Sequence, residues 1–252
     1  MAPRQRSSVL LVALALLGGC TTAPPRRAVD DEARRALELL DERRREFTDL
    51  RALADVVVQR GGERQSLTGA LLVKGPASMR LEALSPLGQP YFLVVIHEGR
   101  LTAYDAAKNE ALVGPATAAT IAGVLGLPLE PDDLVAVLAG RAAPPGDLRV
   151  AELLPPDDAG PSLDLTGGVQ RQRVWMDLKT GQVRQVEIGG GRASLTITYR
   201  RDGDTPLGFD FTAGRNYVTG SVTYRSVVLG AGIDPERFTL ALPKGAKIQS
   251  VR

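Results

Sequence analysis

Residues Met79–Ile96, MRLEALSPLGQPYFLVVI, read as a strand, a tight turn and a second strand. Met79, Leu81 and Ala83 alternate with Arg80 and Glu82, the two-residue period of a strand with one buried face. Tyr91–Ile96 is apolar on both sides, so this strand needs cover on both faces, or lines a cavity with one. Between the two lies Ser85-Pro86-Leu87-Gly88. Proline and glycine are ordinary turn residues, but the residue they present is a leucine. A loop tip has no need to leave water, and an apolar tip points to contact with something hydrophobic.

The same pattern extends outward. Ala52–Gln59, Ser66–Lys74 and Leu101–Asp105 are further strand patterns separated by Gly- or Pro-bearing turns, an antiparallel meander. Two short apolar helices, Thr117–Leu125 and Pro131–Leu138, then interrupt. Neither could stand alone in water, so both are expected to lie on the sheet. Arg141–Gly168 is rich in Pro, Asp and Gly and reads as loop, with an edge strand at Leu148–Leu153. A second strand series follows at Gln170–Leu178, Gln182–Ile188, Ser194–Arg200, Leu207–Ala213 and Tyr217–Val228. Asp234–Phe238 reads as one helical turn before a last extended piece. Upstream, Asp30–Leu50 reads as a helix with acids at its start and Arg43–Arg45 late, the sense that suits the helix dipole. It is expected to cover the fold or to lie on a membrane surface. About ten strands with two inserted helices give a mainly β protein: one strongly curved antiparallel sheet with the helices in its hollow.

The chain of 252 residues carries 31 basic and 29 acidic side chains. Removing Arg4 and Arg6, which fall in a segment expected to be cleaved, leaves 29 of each, without the basic excess that nucleic-acid binding needs. Met1–Gly19 has the parts of a secretory signal: basic residues, an apolar run from Val9 to Leu17, then small residues. That run is shorter than the roughly 20 residues a helix needs to cross a bilayer. Cys20, the single cysteine, follows directly. Leu17-Gly18-Gly19-Cys20 resembles the bacterial lipobox, and the resemblance implies cleavage before Cys20 and its lipidation. Thr21, rather than the aspartate associated with inner-membrane retention in enteric bacteria, favours the outer membrane. Residues 20–29 then form a tether, and 30–252 a single domain.

No catalytic constellation emerges. His97, the only histidine, ends an apolar strand and has no partner for a triad or a metal site. Gly189-Gly190-Gly191 lies between two strand patterns and is a hairpin turn, not a phosphate loop. Asp132-Asp133 opens a helix after Pro131, where acids stabilise the free N–H groups. The chain lacks a nucleophile–histidine pairing, so an enzyme is not expected; nor is a metal or cofactor.

What remains is apolar surface. The hollow is expected to be lined by Met79, Leu81, Leu93 and Val95 from the strands. Ile121, Val124, Leu125, Leu134, Val137 and Leu138 would line it from the helices, and Trp175 from the later strands. Such a hollow suits acyl chains, each buried methylene contributing about 0.8 kcal/mol. The same side chains can equally fill a core, and sequence does not separate a filled barrel from a hollow one.

From Arg80 to Arg141 the chain resembles LolB, the outer-membrane receptor for lipoproteins. The residues that carry this are Arg80-Leu81-Glu82-Ala83-Leu84, Ser85-Pro86-Leu87-Gly88, Gly99-Arg100-Leu101, Gly126-Leu127-Pro128-Leu129 and Leu138-Ala139-Gly140, and Phe238–Gly245 resembles the ending of LolA/LolB-type proteins. The resemblance implies an open, incomplete β-barrel with a helical lid over an apolar cavity. It implies a receptor that takes lipoproteins from a LolA-type periplasmic carrier and releases them into the outer membrane. It also makes Pro86, Leu87 and Gly88 the loop that enters the membrane. Two alternatives stay open: Leu87 folded back onto the sheet, and a filled barrel acting as a structural envelope scaffold.

Overall fold

The computed structural model describes residues 24–190, 193–214 and 218–251. Cys20 and the signal segment lie outside them. The chain begins with helix α1 (Asp31–Glu46), followed by strands β1 (Asp49–Arg60), β2 (Glu63–Lys74), β3 (Ser78–Leu84), β4 (Pro90–His97), β5 (Arg100–Asp105) and β6 (Glu110–Pro115). Helices α2 (Ala118–Leu125) and α3 (Pro131–Leu138) come next. Then follow β7 (Val150–Asp157), β8 (Gly160–Thr166), β9 (Arg171–Met176), β10 (Val183–Gly190), β11 (Ala193–Asp202), β12 (Thr205–Ala213) and β13 (Val218–Leu229). A 3₁₀ turn (Pro235–Phe238) and β14 (Lys247–Ser250) complete the described chain.

All fourteen strands form one sheet in the order β14-β6-β5-β4-β3-β2-β1-β13-β12-β11-β10-β9-β8-β7. Every pairing is antiparallel except β14 on β6. The order runs from one edge strand to the other without closing: an open barrel. Its inner face is apolar from β1 (Leu50, Ala52, Ala54) through β5 (Leu101, Ala103) and out to β8 (Leu163, Leu165), and the three helices cover it in one continuous core.

Local chemistry explains the turns. β1 and β2 pair over their full length, Arg60 opposite Glu63, so only Gly61 and Gly62 make the turn. Their φ values of 55° and 89° are the two positive angles that a twist-matched hairpin requires. The β3–β4 turn closes through Gly88 N–H donating to the Ser85 carbonyl at 2.8 Å, and Ser85 N–H donates to the Gln89 carbonyl at 2.8 Å. Pro86 presets the first corner and Gly88 takes φ 77°, which leaves Leu87 standing at the apex.

Several expectations need correction. α1 ends at Glu46, not Leu50, because Leu50 enters β1 and pairs with Val73 on one side and Leu229 on the other. Sheet pairing on both flanks overrides helix propensity there. α1 covers the fold, burying Ala33, Ala36 and Leu40. Arg141–Gly168 is not mainly loop, since it forms β7 and β8. Pro155-Pro156 misled the reading: β7 is an edge strand, where a missing N–H costs nothing, and the prolines fall at its register break. β6 and β14 were also unforeseen.

Leu93, Val95 and Trp175 do not line the interior. Val95 packs with Leu72, Ile233 and Phe238 in a separate cluster on the outer face. Leu93 shares that face, two residues along the same strand. Trp175 alternates with Val174 and Met176, which take the inner side. Its indole N–H needs an acceptor and finds the Asp157 carboxylate at 2.9 Å, with the Arg173 guanidinium 4.3 Å from the ring centre.

The C-terminal segment crosses this outer face. Arg80 Nη1 donates to the Arg237 and Thr239 carbonyls at 3.1 and 3.0 Å, and Phe238 stacks on His97 at 5.7 Å. His97 Nδ1 lies 2.8 Å from Ser78 Oγ, so the single histidine serves structure. Phe238→Ala should cost about 3–5 kcal/mol by urea denaturation, because the segment loses its one large anchor.

Candidate functional site

The sheet has two ends, and the register assigns each turn to one of them. Arg60, Leu84, Asp105, Thr166 and Val150 fall at one end. Asp49, Ser78, His97, Met176 and Asp157 fall at the other. The Leu87 turn therefore shares its end with the β8–β9 turn and with the start of β7.

Leu87 is 87% exposed, so the hairpin tip is not folded back onto the sheet. Val169, in the β8–β9 turn, is 85% exposed at the same end. The sequence reading missed Val169; its only signal is an apolar residue between Gly168 and Gln170, a weaker version of the leucine between Pro86 and Gly88. The described chain also begins here. Arg27 N–H donates to the Arg149 carbonyl at 3.0 Å, and Arg149 Nη1 donates to the Pro24 carbonyl at 3.2 Å. Two apolar tips and residues 24–27 of the expected tether thus lie at the same end of the sheet.

Beneath the helices lie eight of the expected cavity residues. Met79, Ile121, Leu134 and Val137 are buried, and Leu81, Val124, Leu125 and Leu138 pack partly buried against the same core. They belong to one packed cluster shared by helices and sheet. One cleft lies outside α3 and another on the outer face over Asp164, Arg171 and Glu187; neither is lined by these side chains.

The two lid helices are held differently. α2 buries only Thr120 and Ile121, is capped by the Thr117 hydroxyl, and ends at Gly126 with φ 76°. α3 is pinned at both ends. At its C-terminus the carbonyls left without helical partners are taken by the sheet: Tyr224 Oη donates to Leu138 O at 2.7 Å, Tyr199 Oη to Arg141 O at 2.8 Å, and Arg201 Nη2 to Gly140 O. Burial pushes both phenols above their ordinary range. At its N-terminus Asp133 does more than stabilise free N–H groups. It is buried and accepts from Gln170 Nε2 at 2.9 Å and Gln172 Nε2 at 3.0 Å, both on or beside β9.

Burial raises the Asp133 pKa to about 6, against the pull of the two glutamine amides. The folded protein therefore keeps this proton at pH values where the unfolded chain has released it. That stabilisation is complete below about pH 4 and is lost as pH rises through 6. Above pH 6, α3 is clamped through a carboxylate that burial disfavours.

Comparison with known proteins confirms the architecture. No family model and no curated protein matches the chain. Solved structures do. A domain from Vibrio parahaemolyticus named for outer membrane lipoprotein sorting is 15% identical, with a TM-score of 0.58, over 82% of this chain and 97% of that one. A LolA superfamily protein from Nitrosomonas europaea is 16% identical at TM-score 0.59, over 82% and 97%. A DUF1329 family protein from Desulfovibrio piger is 13% identical at TM-score 0.60, over 82% and 95%. The fold is of the LolA/LolB type: an open β-barrel with inserted helices on its concave face.

Asp133→Asn should raise stability at pH 8 by about 3 kcal/mol, from a rise of roughly two pKa units at roughly 1.4 kcal/mol each. Turning over the Gln172 amide would bring its Oε1, buried without a partner among the described residues, to the new Asn amide. Urea denaturation at pH 5 and pH 8 measures the gain, and the variant should lose the decline in stability between pH 4 and 6.

Proposed function

We propose that this protein is a lipid-anchored lipoprotein of the outer membrane that binds acyl chains beneath its helices. In this reading it accepts lipoproteins from a LolA-type periplasmic carrier and passes them into the membrane. The observation that carries the proposal is the rim: Leu87 and Val169 stand out into solvent at the strand end where the described chain begins. Cys20 is four residues before Pro24, a covalent reach of at most about 14 Å. A lipid at Cys20 would hold this rim against the bilayer, with both apolar tips facing it. The similar structures named for lipoprotein sorting and the LolA superfamily support the same reading.

Ile121, Val124 and Leu125 pack against the sheet core, so in this reading acyl chains enter where the helix cover moves. α2 is the element to move. It buries little, and an eight-residue helix has no stability of its own in water. Hydrocarbon that replaces Ile121, Val124 and Leu125 substitutes one apolar surface for another, so the exchange is close to balanced. The shared packing of helices and sheet also supports a second reading, an anchored envelope scaffold whose barrel never opens.

A displaceable fluorescent fatty-acid probe separates the two. Saturable binding to the detergent-solubilised protein supports acyl-chain handling, and no binding supports the scaffold. Leu87→Glu and Val169→Glu should leave folding and probe binding unchanged, since both side chains are exposed. Each should cut lipoprotein transfer into liposomes tenfold or more, as a charge entering hydrocarbon costs about 2.5 kcal/mol or more. Undiminished transfer by both variants would remove the rim from the mechanism.

A further inference from the structure

A cleft of about 220 Å³ lies between the last turn of α1, the Gly75-Pro76 turn and α3. Asp132, Val135, Ala136 and Ala139 form its α3 wall, the helical stripe that alternates with Leu134, Val137 and Leu138. Arg44, Arg45 and Arg141 supply its charge, and Phe47 and Pro76 extend its apolar wall. It is thus separate from the interior that α3 covers.

The arginines of this region are unequally satisfied. Arg43 pairs with Glu46 at 3.0 Å and Asp204 at 3.4 Å, and donates to the Thr180 carbonyl. Arg201 donates to the Gly140 carbonyl. The arginines that face the cleft fare worse. Arg44 approaches Asp41 only to 3.7 Å, and its Nε is buried without a hydrogen bond. Arg45 has no ion pair or hydrogen bond among the described residues. Arg141 Nε and Nη1 are both buried with no partner among the described residues. Burial, then the nearby Arg201 and Arg43, depress the Arg141 pKa.

Buried guanidinium N–H groups without acceptors are costly, and guanidinium cannot shed its charge as lysine can. The one acid on the wall, Asp132, lies in the first turn of α3, about 10 Å along the helix axis from Ala139. The other acids that act on Arg141, Glu46 and Asp204, both pair with Arg43. A tetrahedral oxyanion can neutralise the arginine end, because several oxygens accept from convergent guanidinium groups at once.

We propose that this cleft binds a phosphate group, with Arg44, Arg45 and Arg141 as its donors. The walls of Phe47, Pro76, Val135, Ala136 and Ala139 take hydrocarbon attached to that phosphate. The volume corresponds to roughly seven waters at about 30 Å³ each, room for a phosphate and the start of its organic part. The site does not depend on acyl-chain binding beneath α2, and either can fail without the other.

Calorimetric titration of the protein in nonionic detergent tests the proposal with three probes: inorganic phosphate, dihexanoyl phosphatidic acid and dihexanoylglycerol. Phosphatidic acid is expected to bind, and dihexanoylglycerol to show no binding. Tighter binding of phosphatidic acid than of inorganic phosphate identifies a lipid headgroup as the ligand source, and equal binding identifies free phosphate. Arg141→Gln should weaken binding at least tenfold. Arg45→Gln, at an exposed position where folding is not at stake, should weaken it several-fold. Arg225→Gln, whose partner is Asp55, should change nothing. Failure of both phosphate probes to bind overturns the site, as does affinity unchanged in both Arg45→Gln and Arg141→Gln.

Discussion

A fourteen-stranded sheet with one apolar face must hide that face, and this sheet does not close to hide it against itself. Everything on the concave side follows from that constraint. Three helices are laid into the hollow, and each is attached by a different device. α1 is joined through Ala33, Ala36 and Leu40 on one flank and through Arg43 at the turn before β10. α3 is tied by hydrogen bonds at both termini, because a buried helix end leaves carbonyls and N–H groups that no water can reach. α2 has only its own cap and two buried side chains. The cover is firm on either side of one loose panel.

The fastening of α3 carries a tension of its own. Tyr199 and Tyr224 must stay protonated to donate to the helix carbonyls, and burial keeps them so. Asp133 is held at the other end by two amides that prefer its charged form, inside a core that prefers its neutral one. The helix is thus anchored by neutral hydroxyls at one terminus and by a disfavoured carboxylate at the other. The arginines displaced to the far side of the same helix are left short of acceptors.

Much of this architecture was legible in the chain. The alternation of Met79, Leu81 and Ala83 gave β3, Ser85–Gly88 marked its hairpin, and Pro131 with the acids after it opened α3. What was not legible depends on contacts made across the fold. Leu148–Leu153 reads as an edge strand, but its continuation through Pro155-Pro156 depends on a sheet partner on one side only, which nothing local reveals. An apolar run such as Leu93–Ile96 shows that both faces are covered, but not which cover is a helix and which is the tail bearing Phe238. Trp175 looked like interior because it lies mid-strand between Val174 and Met176; in the sheet it takes the opposite face, where its N–H meets Asp157. Leu87 was found because an apolar turn residue is anomalous in any context. Val169 escaped notice because only the register places its turn at the same strand end as that of Leu87.

The two outermost strands have a further consequence. β7 carries prolines where a neighbouring copy would need N–H groups, and its start is bound by the backbone of Arg27. β14 is four residues long, runs parallel to β6 and carries Lys247. Neither offers a ladder for another chain to extend, so crowded molecules have no side-by-side route into fibrils. A barrel left unsealed can in this way gain an opening without becoming a template for its own aggregation.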